Sequence, residues 1–314
     1  MMFDAGNPGK ATRIVMVLTA ALAIQLFQYV SISLAQSTAV EIVEADRLNH
    51  ASDEFNDPET LADWQRIFQT EQTGADQLQS INVGKTKPGW MTLIPHTSTW
   101  YQDYRGVLVF KEITGNFVVT TRAEITNRDR SGAPRSQFSL GGLMVRTPRH
   151  INSRTWRPGG ENYLFLSLGT ANKPGEFAFE VKTTRNSDSQ LKIEPLSTGV
   201  AEIRIARLGS HFLLLRRLPN SQWMVHRRYH RPDMPESLQV GFTVYTDYPS
   251  ASKFSPAQQN STVIRSGRPD LIASFEYFRI REPIVPAEFA DRPFTDARSI
   301  SDAELLSFLG NAIK

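Results

Sequence analysis

His226 and His230 stand four residues apart in a segment crowded with arginines: Arg204, Arg207, Arg216, Arg217, Arg227, Arg228 and Arg231. On a helix that spacing would carry both imidazoles to one metal ion. Val225 to Tyr229 reads as strand, where same-face side chains four apart lie about 13 Å from each other, so a shared metal is not expected. The guanidinium groups offer a different chemistry, because they grip carboxylate or sulfate bidentately. An acidic or sulfated polysaccharide would suit them. The plainer alternative, and the favoured one, is a solvated strand pair balanced by acids elsewhere.

Other candidates for catalysis are weak. Glu176 and Glu180 share a strand face, but about 13 Å of strand rise separates them, beyond either glycosidase carboxylate geometry. Together with Glu124 they sit at outward parity and read as solvated charge. Ser250-Ala251-Ser252-Lys253 has the spacing of a Ser/Lys pair but falls in a polar loop, not at a helix start, and is read as chance. No Gly-x-Ser-x-Gly elbow is present. The chain has no cysteine, which removes thiol catalysis, disulfides and a lipid anchor at a cysteine. Trp156, in a loop beside Arg154 and Arg157, is the best aromatic candidate for ligand contact.

These residues need a scaffold, and the hydrophobic pattern supplies one. From Asn116 to Ile125 the chain alternates Phe117, Val119, Thr121, Ala123 and Ile125 against Asn116, Val118, Thr120, Arg122 and Glu124. That period of two is what a half-buried antiparallel strand requires. Fourteen such segments are expected between Trp64 and Ile280, the first over Trp64 to Gln69 and the last a continuous run from Ile272 to Ile280. Turn signals such as Lys87-Pro88-Gly89 and Pro158-Gly159-Gly160 separate them. Short strands without long helices predict an all-β sandwich or barrel. Two long loops, Thr147 to Asn162 and Tyr248 to Asp270, are of the length that is often functional.

The 314 residues can bury a substantial core, and 21 % charged with 40 % hydrophobic residues is an ordinary globular balance. A net charge of +3 carries no general claim about polyanions. Lys10 and Arg13 precede an apolar run from Ile14 to about Val30, and Ser33-Leu34-Ala35 offers a cleavage site. The expectation is a signal peptide over 1–35 and an exported protein, secreted or in the periplasm or cell envelope. An uncleaved anchor is the alternative, and the only route to a membrane. A lead-in over 36–52, one domain over 53–282, and a Pro-rich connector with a helix over 283–314 complete the expected order. Ser301 and Glu304 form a capping box at the start of that helix.

Several phrases then resemble one superfamily. Asp53-Glu54-Phe55-Asn56-Asp57 followed by Trp64, Thr114-Gly115-Asn116-Phe117, Gly142-Leu143-Met144-Val145-Arg146, and Phe275-Glu276-Tyr277-Phe278-Arg279-Ile280 are similar to concanavalin A-like lectin and glucanase domains. The nearest likeness is to a bacterial branch of unknown function related to glycoside-hydrolase accessory domains. The resemblance implies an antiparallel jelly-roll β-sandwich, here with a short C-terminal helix. It also implies a structural Ca²⁺ near the first strand, with Asp53 and Asp57 as ligands; turn-forming or solvated carboxylates are the stronger alternative, and no other cofactor is expected. The Glu-x-Asp-x-x-Glu and Glu-x-Asp-x-Glu phrases of the family's glucanases are missing, as are the phrases of its alginate lyases.

In such a fold strand parity sorts the side chains. Leu143, Val145, Leu164, Leu166, Val240, Phe242 and Val244 point inward. Met144, Arg146, Tyr163, Phe165, Tyr245 and Asp247 point to the opposite face, where rings and charged groups suit a sugar platform; a face covered by loops or the tail helix is the equal alternative. The expected ligand-binding set is Arg146, Trp156, Tyr163, Tyr245, Asp247, His226 and Arg228, with no catalytic residue assigned. The reading is an exported, non-catalytic module binding a polysaccharide or glycan, an acidic one in its sharpest form, and no nucleic acid. The alternatives are a glycoside hydrolase or polysaccharide lyase with unrecognised residues, and a structural envelope protein. Two carboxylates 5 to 10 Å apart in an open groove would favour the hydrolase, at roughly the spacing both mechanisms use. A face closed by the tail helix would favour the structural protein.

Overall fold

The computed structural model describes residues 47–72 and 74–310. The expected signal peptide and nearly all of the lead-in lie outside these residues. Among the described residues no helix is long and apolar enough to cross a membrane.

Two antiparallel sheets face each other. The strands are β1 (Gln65–Arg66), β2 (Leu78–Val83), β3 (Met91–Pro95), β4 (Val107–Thr114), β5 (Phe117–Thr126), β6 (Ser139–Arg146), β7 (Tyr163–Thr170) and β8 (Phe177–Arg185). They continue as β9 (Asp188–Leu196), β10 (Val200–Leu208), β11 (His211–Arg217), β12 (Met224–His230), β13 (Ser237–Tyr245), β14 (Ile272–Phe275) and β15 (Arg279–Arg281). The first sheet runs β1-β4-β13-β6-β7-β8-β9. The second runs β12-β11-β10-β5-β14-β3-β2, with β15 also paired to β5. Gly115, in the left-handed region at φ +84°, turns the chain from β4 in one sheet to β5 in the other, a conformation only glycine takes freely.

Two expectations give way to tertiary contacts. The run from Trp64 to Gln69 is a strand only at Gln65–Arg66 and then becomes the helix α1 (Ile67–Glu71), which delivers Glu71 to a buried ion network. The run from Ile272 to Ile280 is split into β14 and β15. At the break, Phe278 and Asp53 exchange backbone hydrogen bonds of 2.7 Å in both directions, so the N-terminal segment takes a place in the ladder. The long loop after β13 holds two short helices, α2 (Tyr248–Ala251) and α3 (Pro256–Ser261). At the C-terminus α4 (Asp302–Leu309) carries the expected capping box: Glu304 N–H donates to Ser301 Oγ and the Glu304 carboxylate accepts from Ser301 N–H.

Three apolar layers stack through the molecule. The largest fills the space between the sheets and contains the inward set expected from parity, including Leu143, Val145, Leu166, Val240 and Phe242. Trp64 stacks on Phe242 at 5.3 Å between ring centroids, Phe242 on Phe275 at 4.2 Å, and Phe278 meets Trp64 edge-on at 5.0 Å. Ring pairs of this kind add to burial, so removing Phe242 would cost about 3–5 kcal/mol. The other two layers lie on the outer faces. Trp100, Phe110, Met144, Tyr163, Phe165 and Tyr245 form one on the first sheet. Val118, Ala206, Leu213 and Leu215 of the second sheet pack against Phe294, Ile300, Leu305, Phe308 and Leu309 of the tail.

Candidate functional site

The face expected to hold sugar is closed. The segment Thr97–Arg105, α1 and the α2–α3 loop roof the first sheet, and Arg146, Tyr163 and Tyr245 are fully buried beneath them, with Asp247 nearly so. The physical reason is charge. Arg146 donates through Nε to Glu161 Oε2 at 2.8 Å, through Nη2 to Glu161 Oε1 at 3.2 Å, and through Nη1 to Glu71 Oε1 at 2.6 Å and Gln239 Oε1 at 2.7 Å. Arg105 donates to Glu71, and Arg149 to Glu161 at 2.6 Å. Burial works against each charged form, but the carboxylates raise the Arg146 guanidinium above its ordinary value. Burial likewise pushes Glu161 up, yet Arg146, Arg105 and Arg149 outweigh it and hold its carboxyl at about 2. Such a network fixes the roof to the sheet, and with four of its five N–H donors engaged and no exposure Arg146 is out of a ligand's reach. Asp247 accepts from Thr97 Oγ1 at 2.9 Å and from Arg268 N–H at 2.5 Å, anchoring a loop. Glu180, expected as solvated charge, is also buried here and ion-paired with Lys182 at 2.8 Å.

The remaining expected site residues are dispersed. Trp156 is half-buried in the Thr147–Asn162 loop, away from the groove described below. A register shift between Leu214 and Leu215 places a bulge at His226, so it faces inward against Phe179 at 5.5 Å, whereas His230 faces outward and stacks on His211 at 4.9 Å. Burial pushes His226 down to about 4, with Glu194 opposing and the Arg216 and Arg227 charges reinforcing the shift. Arg228 is spent on the tail, donating to Ile300 O at 2.7 Å and pairing with Asp302. Much of the basic segment is tied to partners within the protein. Glu194 on β9 takes Arg216 at 3.1 Å and also Arg227, Asp233 takes Arg231 at 2.7 Å, and Arg204 donates to Thr120 Oγ1 at 2.7 Å and to the carbonyl of Leu309. Among the described residues Arg216, Arg217, Arg227, Arg228 and Arg231 each already have a carboxylate partner, which leaves them little spare charge for an acidic polymer.

Asp53 and Asp57, the expected Ca²⁺ ligands, are both engaged by protein donors. Asp53 accepts Trp64 Nε1–H at 3.0 Å and Phe55 N–H at 2.9 Å, which orients both rings into the core. Asp57 caps the turn Pro58–Asp63 by accepting Glu59 N–H at 2.9 Å. Among the described residues no group of three or more His, Cys, Asp or Glu side chains could hold a metal ion.

The open site lies on the other sheet. A groove of about 770 Å³ runs over the ends of β5, β10 and β11, with Trp90, Tyr277 and Glu54 at its sides. Arg122, Glu202 and Arg217 stand opposite one another on three adjacent strands, and strand alternation turns all three outward. Arg217 pairs with Glu202, whose other oxygen accepts the Tyr277 hydroxyl at 2.6 Å. Arg122 reaches Glu276 at 3.1 Å, and Arg279 holds Glu54 bidentately at 2.7 and 2.8 Å. Burial first, then the hydrogen bond to the Glu202 carboxylate, pushes the Tyr277 phenol well up. Cations already cover the two rings, with Lys87 Nζ 3.4 Å above Trp90 and the Arg279 guanidinium 4.1 Å above Tyr277. The groove is therefore a balanced array of guanidinium donors and carboxylate acceptors, suited to a ligand rich in hydroxyls. Among the described residues the tail packs on the apolar end of this sheet and meets Arg204 at the Leu309 carbonyl. Sequence parity had Arg122 and Glu124 facing outward, but the register that lines up Arg122, Glu202 and Arg217 over nearly a hundred residues of chain carries no local signal.

No family model matches the chain, and no curated protein does. Solved structures match in backbone. The GH43 protein BlXynB of Bacillus licheniformis superposes with a TM-score of 0.50 at 14 % identity, over 76 % of this chain and 40 % of that one. A functionally unknown protein from Saccharomyces cerevisiae gives 0.48 at 14 % identity, over 72 % and 99 %. LamAcat from Zobellia galactanivorans gives 0.41 at 10 % identity, over 74 % and 96 %. Likeness at these identities is one of fold. The chain folds as an antiparallel jelly-roll β-sandwich.

Proposed function

We propose that the protein is an exported, non-catalytic carbohydrate-binding module whose site is the groove on the second sheet. The observation that carries this reading is the outward row Arg122–Glu202–Arg217 at the floor of an open groove of about 770 Å³. Alternating donors and acceptors hydrogen-bond the hydroxyls of a glycan, and a groove of this volume lies within the range of specific ligand sites. The fold shared with a GH43 protein supports a carbohydrate role. Each carboxylate of the floor and walls is already engaged by a guanidinium, Glu54 by Arg279, Glu202 by Arg217 and Glu276 by Arg122, an arrangement that suits a binding array better than a pair of free catalytic carboxyls. An exported chain fits the charged and apolar pattern of residues 1–35.

The test is a titration of the folded protein against a panel of neutral and acidic oligosaccharides, with reducing-end release followed in the same samples. Saturable binding that is lost in Arg122→Ala and Glu202→Ala, without release of reducing ends, is the expected result. Reducing ends released by wild type and not by Glu202→Ala would replace the module with an enzyme. Binding retained in both variants would move the site elsewhere.

A further inference from the structure

We propose a second binding site, on the outer face of the first sheet, for a small neutral ring-shaped molecule that carries one hydrogen-bond acceptor oxygen. It does not depend on the groove or on its ligand. A cavity of about 240 Å³ remains there, lined by Thr99, Tyr101, Phe138, Lys182, Leu191 and Tyr248. Three aromatic rings and a leucine make its wall, a lining that favours an apolar ring. Lys182, 2 % exposed, is the one charged group that reaches it.

The charge is held ready rather than spent. An ammonium has three N–H donors. Lys182 donates one to the carbonyl of Trp100 and pairs with Glu180 at 2.8 Å, which leaves a donor for a ligand oxygen. The rings of Phe165, Tyr245 and Tyr101 surround Nζ at 5.2, 5.4 and 5.7 Å. Close by, the Glu180 carboxylate and the Tyr245 hydroxyl are fully buried, the carboxylate facing Lys182 and the hydroxyl within reach of Glu180 and Ser167. The Lys182–Glu180 pair is neutral as a unit, so a neutral acceptor suits it and a carboxylate would meet the Glu180 charge.

The walls are also pre-set by strained backbone. Phe138 has φ +51° and Asp247, which precedes Tyr248, has φ +66°. Residues other than glycine adopt this region at a cost, a bulky one most of all, and such strain gathers at ligand clamps. Here Phe138 N–H is held by Ala171 O at 2.9 Å and Asp247 by Thr97 and Arg268, so the Phe138 and Tyr248 rings meet edge-on at 5.5 Å. A wall fixed before binding lowers the ordering cost of taking a ligand.

The experiment is ¹⁹F NMR titration of the folded chain with 4-fluorobenzamide, 4-fluorobenzoate and fluorobenzene. Saturable binding of the amide is expected, with fluorobenzene weaker by about tenfold for want of the Lys182 hydrogen bond. Leu191→Trp fills the mouth from an edge position 36 % exposed and should weaken the amide by at least the same factor, with the melting temperature unchanged. Tyr248→Ala removes one wall and should act likewise, which keeps the test valid if the first variant is unstable. Arg122→Ala, in the groove, should leave amide binding as it is. No saturable binding of the amide, equal binding of fluorobenzene, tighter binding of the benzoate, or binding unchanged in both variants would each overturn the proposal.

Discussion

On the outer face of the first sheet, Arg146, Tyr163 and Tyr245 lie under a roof made from the protein's own loops; on the outer face of the second, Arg122, Glu202 and Arg217 lie in the open. Both faces use arginine–carboxylate contacts, yet the contacts have different consequences. Arg146, Glu71 and Glu161 have no exposure, so each must keep every partner. Arg122 and Glu276 are 43 % and 36 % exposed, so water can replace either partner and a ligand can do the same. Exposure, not residue type, separates the structural arginine from the one proposed to bind a ligand.

Several measurements would break or sharpen that contrast. Arg146→Met strips two buried carboxylates of their main partner and should cost about 3–5 kcal/mol in urea unfolding, without changing glycan affinity per folded molecule. A cost below 1 kcal/mol would mean the roof is not held by charge. Leu305→Ala, under the tail, should cost about 2–4 kcal/mol by opening a cavity against β10 and β11, again with the groove intact. Loss of glycan binding in that variant would show that the tail shapes the groove.

Acid should act on the two sets of buried groups in sequence. His226, lowered from 6.5 to about 4, binds its proton more readily in the unfolded chain, so its contribution is complete above pH 6.5 and fades as pH falls toward 4. Glu161, lowered from 4.5 to about 2, contributes fully above pH 4.5 and loses that contribution as pH falls toward 2. Stability measured from pH 7 to pH 2 should therefore fall in two stages, and His226→Gln should remove the first. A single step centred near pH 4.5 would contradict the buried network. The smallest stability effect belongs to the groove: Arg217→Ala should change unfolding by no more than about 1 kcal/mol while weakening glycan binding about tenfold or more.

Much of the fold was legible from local pattern. The alternation around Phe117–Ile125 placed the inward residues, and Ser301 with Glu304 marked the start of α4. What failed was the environment of the opposite parity. Arg146 read as ligand-facing, with a covered face as the equal alternative, and Glu180 as solvated, because parity says which way a side chain points and nothing of what lies above it. The roof comes from Glu71 and Arg105, residues 75 and 41 positions before Arg146 in the chain, and no spacing rule joins them. His226 was misplaced for a related reason, since one bulge reverses the parity of a strand. The groove was missed because its floor is set by sheet register, which pairs Arg122 with Glu202 and brings Tyr277 alongside.

The order of strands also bears on how the chain reaches this state. Thr243 on β13 hydrogen-bonds Val107 on β4 across 136 residues, and Ser52 bonds Ile280 across 228. β5 waits for β10, β14 and β15, and β4 waits for β13, so the strands made first are completed last. Synthesis must run almost to the tail before either sheet can close. Contacts this remote make folding slow, and they leave apolar strands without neighbours on the ribosome. No fragment ending before β13 contains a closed first sheet. The chain should depend on holding factors during its manufacture, and refolding from denaturant should be measured in seconds rather than milliseconds.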